Sequence, residues 1–506
     1  MPFGHVYRSK LIDKWVALDS TEETDDQQIW AKTDELKTHV NSLVSKNVLP
    51  GKPVYILMFL QSFDMMLTHR LELTAYGHCY QYLIHQALDR VGVKHSEIDT
   101  YLNILSELGG AVLETSSESL SKSELSHFFD KYSKNFLTVD REKVKKDLIK
   151  AYILLESESG IRFKYRYLFY FFAAKKLSDY LHKGHETKEK IKHLVETIHQ
   201  ERSANIILFL IHHSKDPWIL EEILYSVMDI FCSESEVTLE ANSLSFLQKF
   251  VQEIPELVVE NRDAKQERLN EDMQKDIIEQ NEIEDNLTDY DKDVKEFVVK
   301  VNKVFRSIEV CGQIFRNRIG SLERQSLESV YEESVLVSLR FLSIFTRFSE
   351  YVREEAVRKI DQVLDQNPDI PNQKIIRVIE SFYLSINYSV IISMLYRIAF
   401  SLGTSKGRDI YIKVTEDKDQ PALKLIQLII ELQFEKRLDS DKIVDLHSEF
   451  TKNPICDRFL KHIILRHFYM HDTNFSERQK IANKLKIPMS VQRSILIASQ
   501  AKSRKQ

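Results

Sequence analysis

Apolar residues recur three and four positions apart along most of this chain, the spacing that lines one face of an α-helix. Between residues 13 and 48, charged clusters alternate with Trp15, Val16, Leu18, Trp30, Leu36, Val40, Leu43 and Val44, and the second half keeps helical spacing. Pro50-Gly51-Lys52-Pro53 breaks the pattern. From Val54 to Phe63 the chain is apolar nearly all round, which predicts a helix buried on most of its circumference. Further helices are predicted over Leu73 to Arg90 and Ile98 to Leu113, and Ser121-Lys122-Ser123-Glu124 carries the Ser-x-x-Glu capping pattern that opens another.

The period changes once. Ala151 to Glu156 and Ile161 to Lys164 are short β-prone runs around Ser157-Glu158-Ser159-Gly160, the best hairpin candidate in the sequence. An aromatic-rich helix follows from Tyr165 to Leu181 and ends at Gly184. Helices, a hairpin and a packed helix, in that order, are the layout of a winged-helix domain. Short amphipathic helices come next over Lys188 to Arg202, Ala204 to His213, Trp218 to Cys232 and Leu239 to Val251. They show no fixed period, so an irregular α-solenoid fits better than a formal repeat.

Amphipathic helices resume over 297–475, and Pro421 and Pro454 stand where a first helical turn tolerates proline. The resulting fold class is mainly α: a winged-helix-like N-terminal domain with one short hairpin, then irregular α-solenoid or helical-bundle domains. The divisions are 1–183, a short repeat-like region 184–258, an acidic helix or linker 259–296, and a C-terminal domain 297–506 with a basic tail.

Composition narrows the class further. Only 12 glycines and 10 prolines occur in 506 residues, about a third of ordinary usage, which disfavours tight-turned sandwiches and barrels. With 43% hydrophobic and 29% charged residues the chain can bury enough apolar area to fold. Cys79, Cys232, Cys311 and Cys456 are too far apart for a zinc knuckle or a dithiol, and they read as buried small hydrophobes in a reducing compartment. Early charges at Arg8, Lys10, Asp13 and Lys14 leave no apolar core for a signal peptide. The longest apolar runs fall far short of the ~20 residues that span a bilayer. The expected location is cytoplasmic, with no membrane partner.

The net charge of −6 conceals two poles. Residues 260–296 hold fourteen acidic and six basic residues, predicting a solvated helix or mobile linker. Residues 477–506 hold eight basic residues and one acidic. There Ser476-Glu477-Arg478-Gln479 starts a helix, Lys486 to Ser490 forms a turn, and Val491, Ile495 and Leu496 suggest a second helix. This is the size and order of a helix-turn-helix module, without the usual turn glycine. Arg478, Lys480, Lys484, Lys486 and Arg493 are its candidate nucleic-acid contacts; the alternative is a terminal helix pair with a soluble tail.

Catalytic constellations are missing. Gly403-Thr404-Ser405-Lys406-Gly407 lacks the GxxxxGK[ST] spacing that surrounds phosphate with backbone N–H groups. His467 and His471 share a helix face but lack a third metal ligand and the HExxH glutamate, so they read as surface or capping histidines near a helix C-terminus. No GxSxG elbow occurs, and no carboxylate pair stands out. Neither a cofactor, a metal nor a reaction is indicated, and the chain reads as a non-enzyme.

The segment Phe163 to Leu177 resembles the motif closing the winged-helix domain of NACHT-type STAND NTPases, approximately F-x-H-x-[ST]-[FL]-x-[DE]-[FY]-[FL]-x-A. Phe163, Leu168, Phe171, Phe172 and Ala174 match it, while Tyr165 stands where the family has its nucleotide-reading histidine and Tyr170 where it has an acid. No nucleotide-sensing role is therefore carried over. Met1-Pro2-Phe3-Gly4 with Arg8, Leu11, Ile12 and Lys14-Trp15 resembles the segment after the nucleotide-binding core of bacterial members, and Gly312 to Asn317 and Asp472 to Arg493 resemble their C-terminal helical halves.

The resemblance implies the regulatory and sensor portion of a bacterial STAND-type switch, of a class often active in defence against phage, with the P-loop core preceding residue 1. It implies a protein partner or separately encoded NTPase core and self-association. Its rivals are a nucleic-acid-binding regulator acting through 476–506 and a helical scaffold without any nucleotide connection.

Overall fold

The computed structural model describes residues 3–19, 75–115, 117–158, 160–241, 262–281, 292–365, 372–434, 438–471 and 475–488, with isolated positions between 29 and 60 and at 247, 257, 259, 260 and 473. The chain divides into two compact units, Met1–Asp229 with Ile283–Leu322, and Ile230–Glu282 with Glu323–Gln506. It therefore passes between them three times.

The first unit opens with α1 (His5–Asp19), α2 (Ala75–Arg90) and α3 (Ile98–Leu113). Helix α4 (Lys122–Asn135) starts at Ser121, whose hydroxyl accepts from the Glu124 N–H while the Glu124 carboxylate accepts from the Ser121 N–H at 2.8 Å. This reciprocal cap satisfies two donors that a helix start leaves unpaired. Helix α5 (Arg141–Lys150) is capped likewise by Asp140.

Strands β1 (Leu154–Ser157) and β2 (Gly160–Phe163) pair antiparallel, Leu154 opposite Phe163 and Ser157 opposite Gly160. Helices α6 (Arg166–Asp179), α7 (His185–Glu196), α8 (Glu201–His213) and α9 (Pro217–Asp229) follow. One helix predicted over Lys188 to Arg202 is thus two partial ones. The chain turns at Thr197, whose hydroxyl donates to the His193 carbonyl at 2.7 Å, and Ile198 is buried beside the bend.

Helix α10 (Ala264–Asn281) belongs to the second unit and α11 (Lys292–Arg318) to the first. The buried Arg318 guanidinium donates to the Ile211 carbonyl at 2.6 Å and to Ser321 Oγ at 2.8 Å, so the end of α11 caps the end of α8. The second unit continues with α12 (Arg324–Asp365), α13 (Asn372–Leu402), α14 (Arg408–Lys418), α15 (Pro421–Phe434), α16 (Ser440–Glu449), α17 (Pro454–Met470) and α18 (Phe475–Lys484).

Pro421 opens α15, and Pro454 is in the first turn of α17 with Asn453 as its cap. The core of this unit lies where α15 and α17 meet α13, with Tyr388 stacked on Phe459 at 4.8 Å. Two strands among many helices agree with the mainly α expectation.

Several expectations need correction. The helix alternative for 259–296 holds over Ala264–Asn281, but α10 is not fully solvated: Arg268 donates to the Met470 carbonyl at 2.6 Å, and Arg466 pairs with Glu271 at 3.0 Å, docking α10 on α17. Cys232 is exposed, whereas Cys311 and Cys456 are buried; the Cys79 side chain lies outside the described residues. Among the described residues one helical segment, Ile376–Leu402, is long and apolar enough to cross a membrane by length and composition. The helix predicted over Leu239 to Val251 does not begin at Leu239, which has a positive φ of 64° and is followed by non-helical Glu240 and Ala241; apart from Leu247 the rest of it, like the second C-terminal helix at 491–496, lies outside the described residues.

Candidate functional site

Helix α6 is the centre of the first unit. Its residues Tyr167, Leu168, Tyr170, Phe171, Phe172 and Ala174 are all buried, pointing to every side of the helix. Such enclosure needs neighbours all round, and α3, α8 and β2 supply them. Contact with α3 is close because Gly109 lacks a side chain: a Cβ there would stand 2.7 Å from the Ala173 nitrogen and the Phe172 carbonyl carbon. Phe163, at the end of β2, stacks on Phe172 at 6.0 Å. On another side Phe171 meets Phe209 edge-on at 5.7 Å, and Tyr167 meets Tyr80 at 5.0 Å. The hairpin is thereby pinned to the helix.

The hairpin has a third neighbour. Leu120 and Ile161 exchange both backbone hydrogen bonds, at 2.9 and 2.8 Å, so the segment before α4 forms a bridge on the outer side of β2. Gly160 makes this approach geometrically accessible. Its φ is +140°, and a Cβ on it would lie 2.0 Å from the Leu120 carbonyl oxygen. The sequence marks Gly160 as a turn residue; its second task, admitting Leu120, depends on a contact made forty residues upstream.

The order in space is therefore Leu120, β2, β1, and the order along the chain is bridge, helix, helix, hairpin, helix. Residues 118–173, which span this whole arrangement from bridge to the middle of α6, match the family model described as Novel STAND NTPase 4. Over these residues the chain is similar to STAND NTPases. Comparisons with curated proteins and with solved structures return no match.

Within the STAND-related segment, Tyr165 caps α6 without a side-chain hydrogen bond from its cap position, and its ring stacks on Tyr167 at 5.7 Å and 12°. Tyr170 is buried, and that burial pushes its phenol well above its usual range, with Glu201 and Glu118 adding to the shift. The arrangement holds a hairpin against a helix.

The C-terminal candidates are distributed differently. Arg478 is buried on α18 and donates to Thr473 Oγ1 at 2.6 Å and to the His471 carbonyl at 3.2 Å. Lys484 pairs with Asp441 at 3.3 Å, while Lys480 and Lys486 are exposed. Arg493 lies outside the described residues. The turn after α18 lacks glycine because Lys486 itself takes the left-handed conformation, φ 56°.

Next to Arg478, His467 and His471 stack at 4.3 Å. Both are half-buried near the helix C-terminus, where His467 lies in the last turn and His471 is the C-cap residue of α17. Burial lowers both imidazoles, His471 to about 4, and Arg268 adds to the shift in each case. No group of three metal-ligating side chains occurs among the described residues. Sequence spacing placed these two histidines on one helix face but gave no sign of the arginines brought by α10 and α18.

Proposed function

We propose that this chain is a non-catalytic regulatory and sensor portion of a STAND-type signalling NTPase, cytoplasmic, acting through protein recognition and self-association in bacterial defence. The observation that carries the reading is the match over 118–173, which takes in the bridge, two helices, the hairpin and the first half of α6. That succession, with the first segment pairing to the outer side of the second hairpin strand, supports reading the segment as a winged helix. In this reading the wing and α6 form the switch element, and the helices after residue 184 form the recognition surface. The engine is a P-loop NTPase supplied by a partner.

Two features support a mechanical role for the wing region. Its motif positions are filled by buried apolar and aromatic side chains. The positions of the family's histidine and acid hold Tyr165 and Tyr170, which transmit packing and do not sense charge.

The test is ATP turnover by the purified chain alone and after mixing with the P-loop protein encoded nearest to it. The expected result is no turnover alone, and a complex in which the partner's turnover changes. Magnesium-dependent hydrolysis by this chain alone, or no interaction with the P-loop protein, would overturn the proposal.

A further inference from the structure

Helix α5 turns a basic stripe to solvent. Val144 and Leu148 are buried, so at about 100° per residue the opposite side holds positions 142, 143, 146 and 150, and these four are the exposed residues of the helix. Arg141, Lys143 and Lys145 are already paired, with Asp130, Glu97 and Glu156. Glu142 stands at the N-terminal end of the stripe. Lys146 and Lys150, one turn apart beyond it, have no ion pair among the described residues.

The path continues past the helix end. Tyr152 takes the left-handed conformation, φ 57°, where helices usually take glycine or asparagine, and the residue is 67% exposed. Its ring therefore fills no core space in return for the backbone cost. Lys164 Nζ lies 5.1 Å from the ring centre. The Lys164 N–H donates to the Ile153 carbonyl at 2.8 Å, which extends the hairpin pairing by one step. Because Ile161 and Phe163 are buried, alternation puts Arg162 and Lys164 together on the outer face of the hairpin. Arg162 is exposed and also has no ion pair among the described residues. From Lys146 to Arg162, successive neighbours form one track of four cations with an aromatic ring in it.

Charge and shape select the occupant. In a chain of net charge −6, a run of uncompensated cations attracts a polyanion locally. An anionic bilayer also takes apolar side chains into its interface, and apart from Tyr152 the track has no exposed apolar residue. Nucleic acid offers phosphates for the cations and a flat ring to stack on the tyrosine. A duplex keeps its bases stacked on one another, whereas a single strand has their faces free.

We propose that this track binds single-stranded nucleic acid, with phosphates on Lys146, Lys150, Arg162 and Lys164 and one base on Tyr152. The proposal adds a class of ligand to the regulatory reading above without resting on it, since it depends only on α5 and the hairpin.

The test is the fluorescence anisotropy of a labelled thymidine oligonucleotide of about twenty nucleotides, titrated with the full chain across a salt series. The expected result is binding whose logarithm falls against the logarithm of salt with a slope near about −3, roughly 0.7 for each of four phosphates. Lys146→Glu combined with Lys150→Glu should weaken binding about tenfold or more and flatten that slope. Tyr152→Ala should weaken it about tenfold at unchanged slope, while Tyr152→Phe binds like the natural chain. Circular dichroism checks that each variant is folded.

No binding by the natural chain, or binding unmoved by the lysine pair or by Tyr152→Ala, would overturn the proposal. Equal affinity for the duplex formed with the complementary strand would do the same, as would equal competition by phosphatidylcholine–phosphatidylglycerol vesicles. Loss confined to Lys480→Glu combined with Arg493→Glu would assign the binding to the C-terminal segment instead. None of these outcomes involves ATP turnover, so failure here and failure of the proposed function are separable.

Discussion

Helix α6 in the first unit and helix α13 in the second are both rich in apolar and aromatic residues, but they are surrounded differently. Around α6, nine of fourteen residues are buried, and α3 comes so close that only Gly109 fits beneath it. Helix α13 buries Tyr383, Leu384, Ile391, Met394, Leu395 and Ile398 along one side and leaves Val378, Phe382 and Ile386 exposed on the other. The first arrangement makes α6 a fully packed core element. The second leaves apolar area available for binding, because what an apolar residue contributes depends on whether water has already been removed from it. The same kinds of side chain therefore act as core in one unit and as surface in the other.

The sharpest way to break this contrast is Phe172→Ala. Phe172 is fully buried between the hairpin and α3, and removing its ring leaves a cavity that costs about 3–5 kcal/mol. All three tryptophans, Trp15, Trp30 and Trp218, fall within the first unit. Tryptophan fluorescence during denaturation should therefore show the loss, while circular dichroism should retain a later transition from the second unit. A single unchanged transition would mean that α6 does not hold its unit together.

A smaller effect separates the units by pH. The lowered pKa of His471, from 6.5 to about 4, means that the unfolded chain takes up the proton first. This contribution to stability is present above about 6.5 and is lost as pH falls towards 4. Facing the stacked pair are Arg268 from α10 and Arg478 from α18, so protonation adds positive charge beside two arginines. Thermal melting followed by circular dichroism should lose its second-unit transition progressively between these pH values. The double variant His467→Gln, His471→Asn should flatten the dependence. If the tryptophan signal falls first instead, the acid-sensitive cluster lies in the other unit.

What could be read from sequence follows how local each cause is. The Ser121–Glu124 cap, the turn ending at Gly160 and the first-turn prolines Pro421 and Pro454 depend on residues within a few positions, and the structure has each in place. The aromatic run from Phe163 was legible as a helix after a hairpin because the period changes there. The rest depends on long-range contacts. Fourteen acidic residues over 260–296 look solvated until Glu271 is set against Lys275 and Arg466, which hold its carboxyl below the usual range against the upward push of burial. The Leu120 bridge is one residue long, too short for any pattern. An apolar face also looks the same in sequence whether a neighbouring helix covers it or leaves it open.

The smallest predicted effect makes the finest distinction. Phe382→Ala removes a ring as large as that of Phe172, but from an exposed position, so the cavity argument does not apply. Loss of folding stability, measured by chemical denaturation, should stay within about 0.5 kcal/mol. If Phe382→Ala instead lowers stability by several kcal/mol, α13 is enclosed in the same way as α6 and the contrast between the two helices fails.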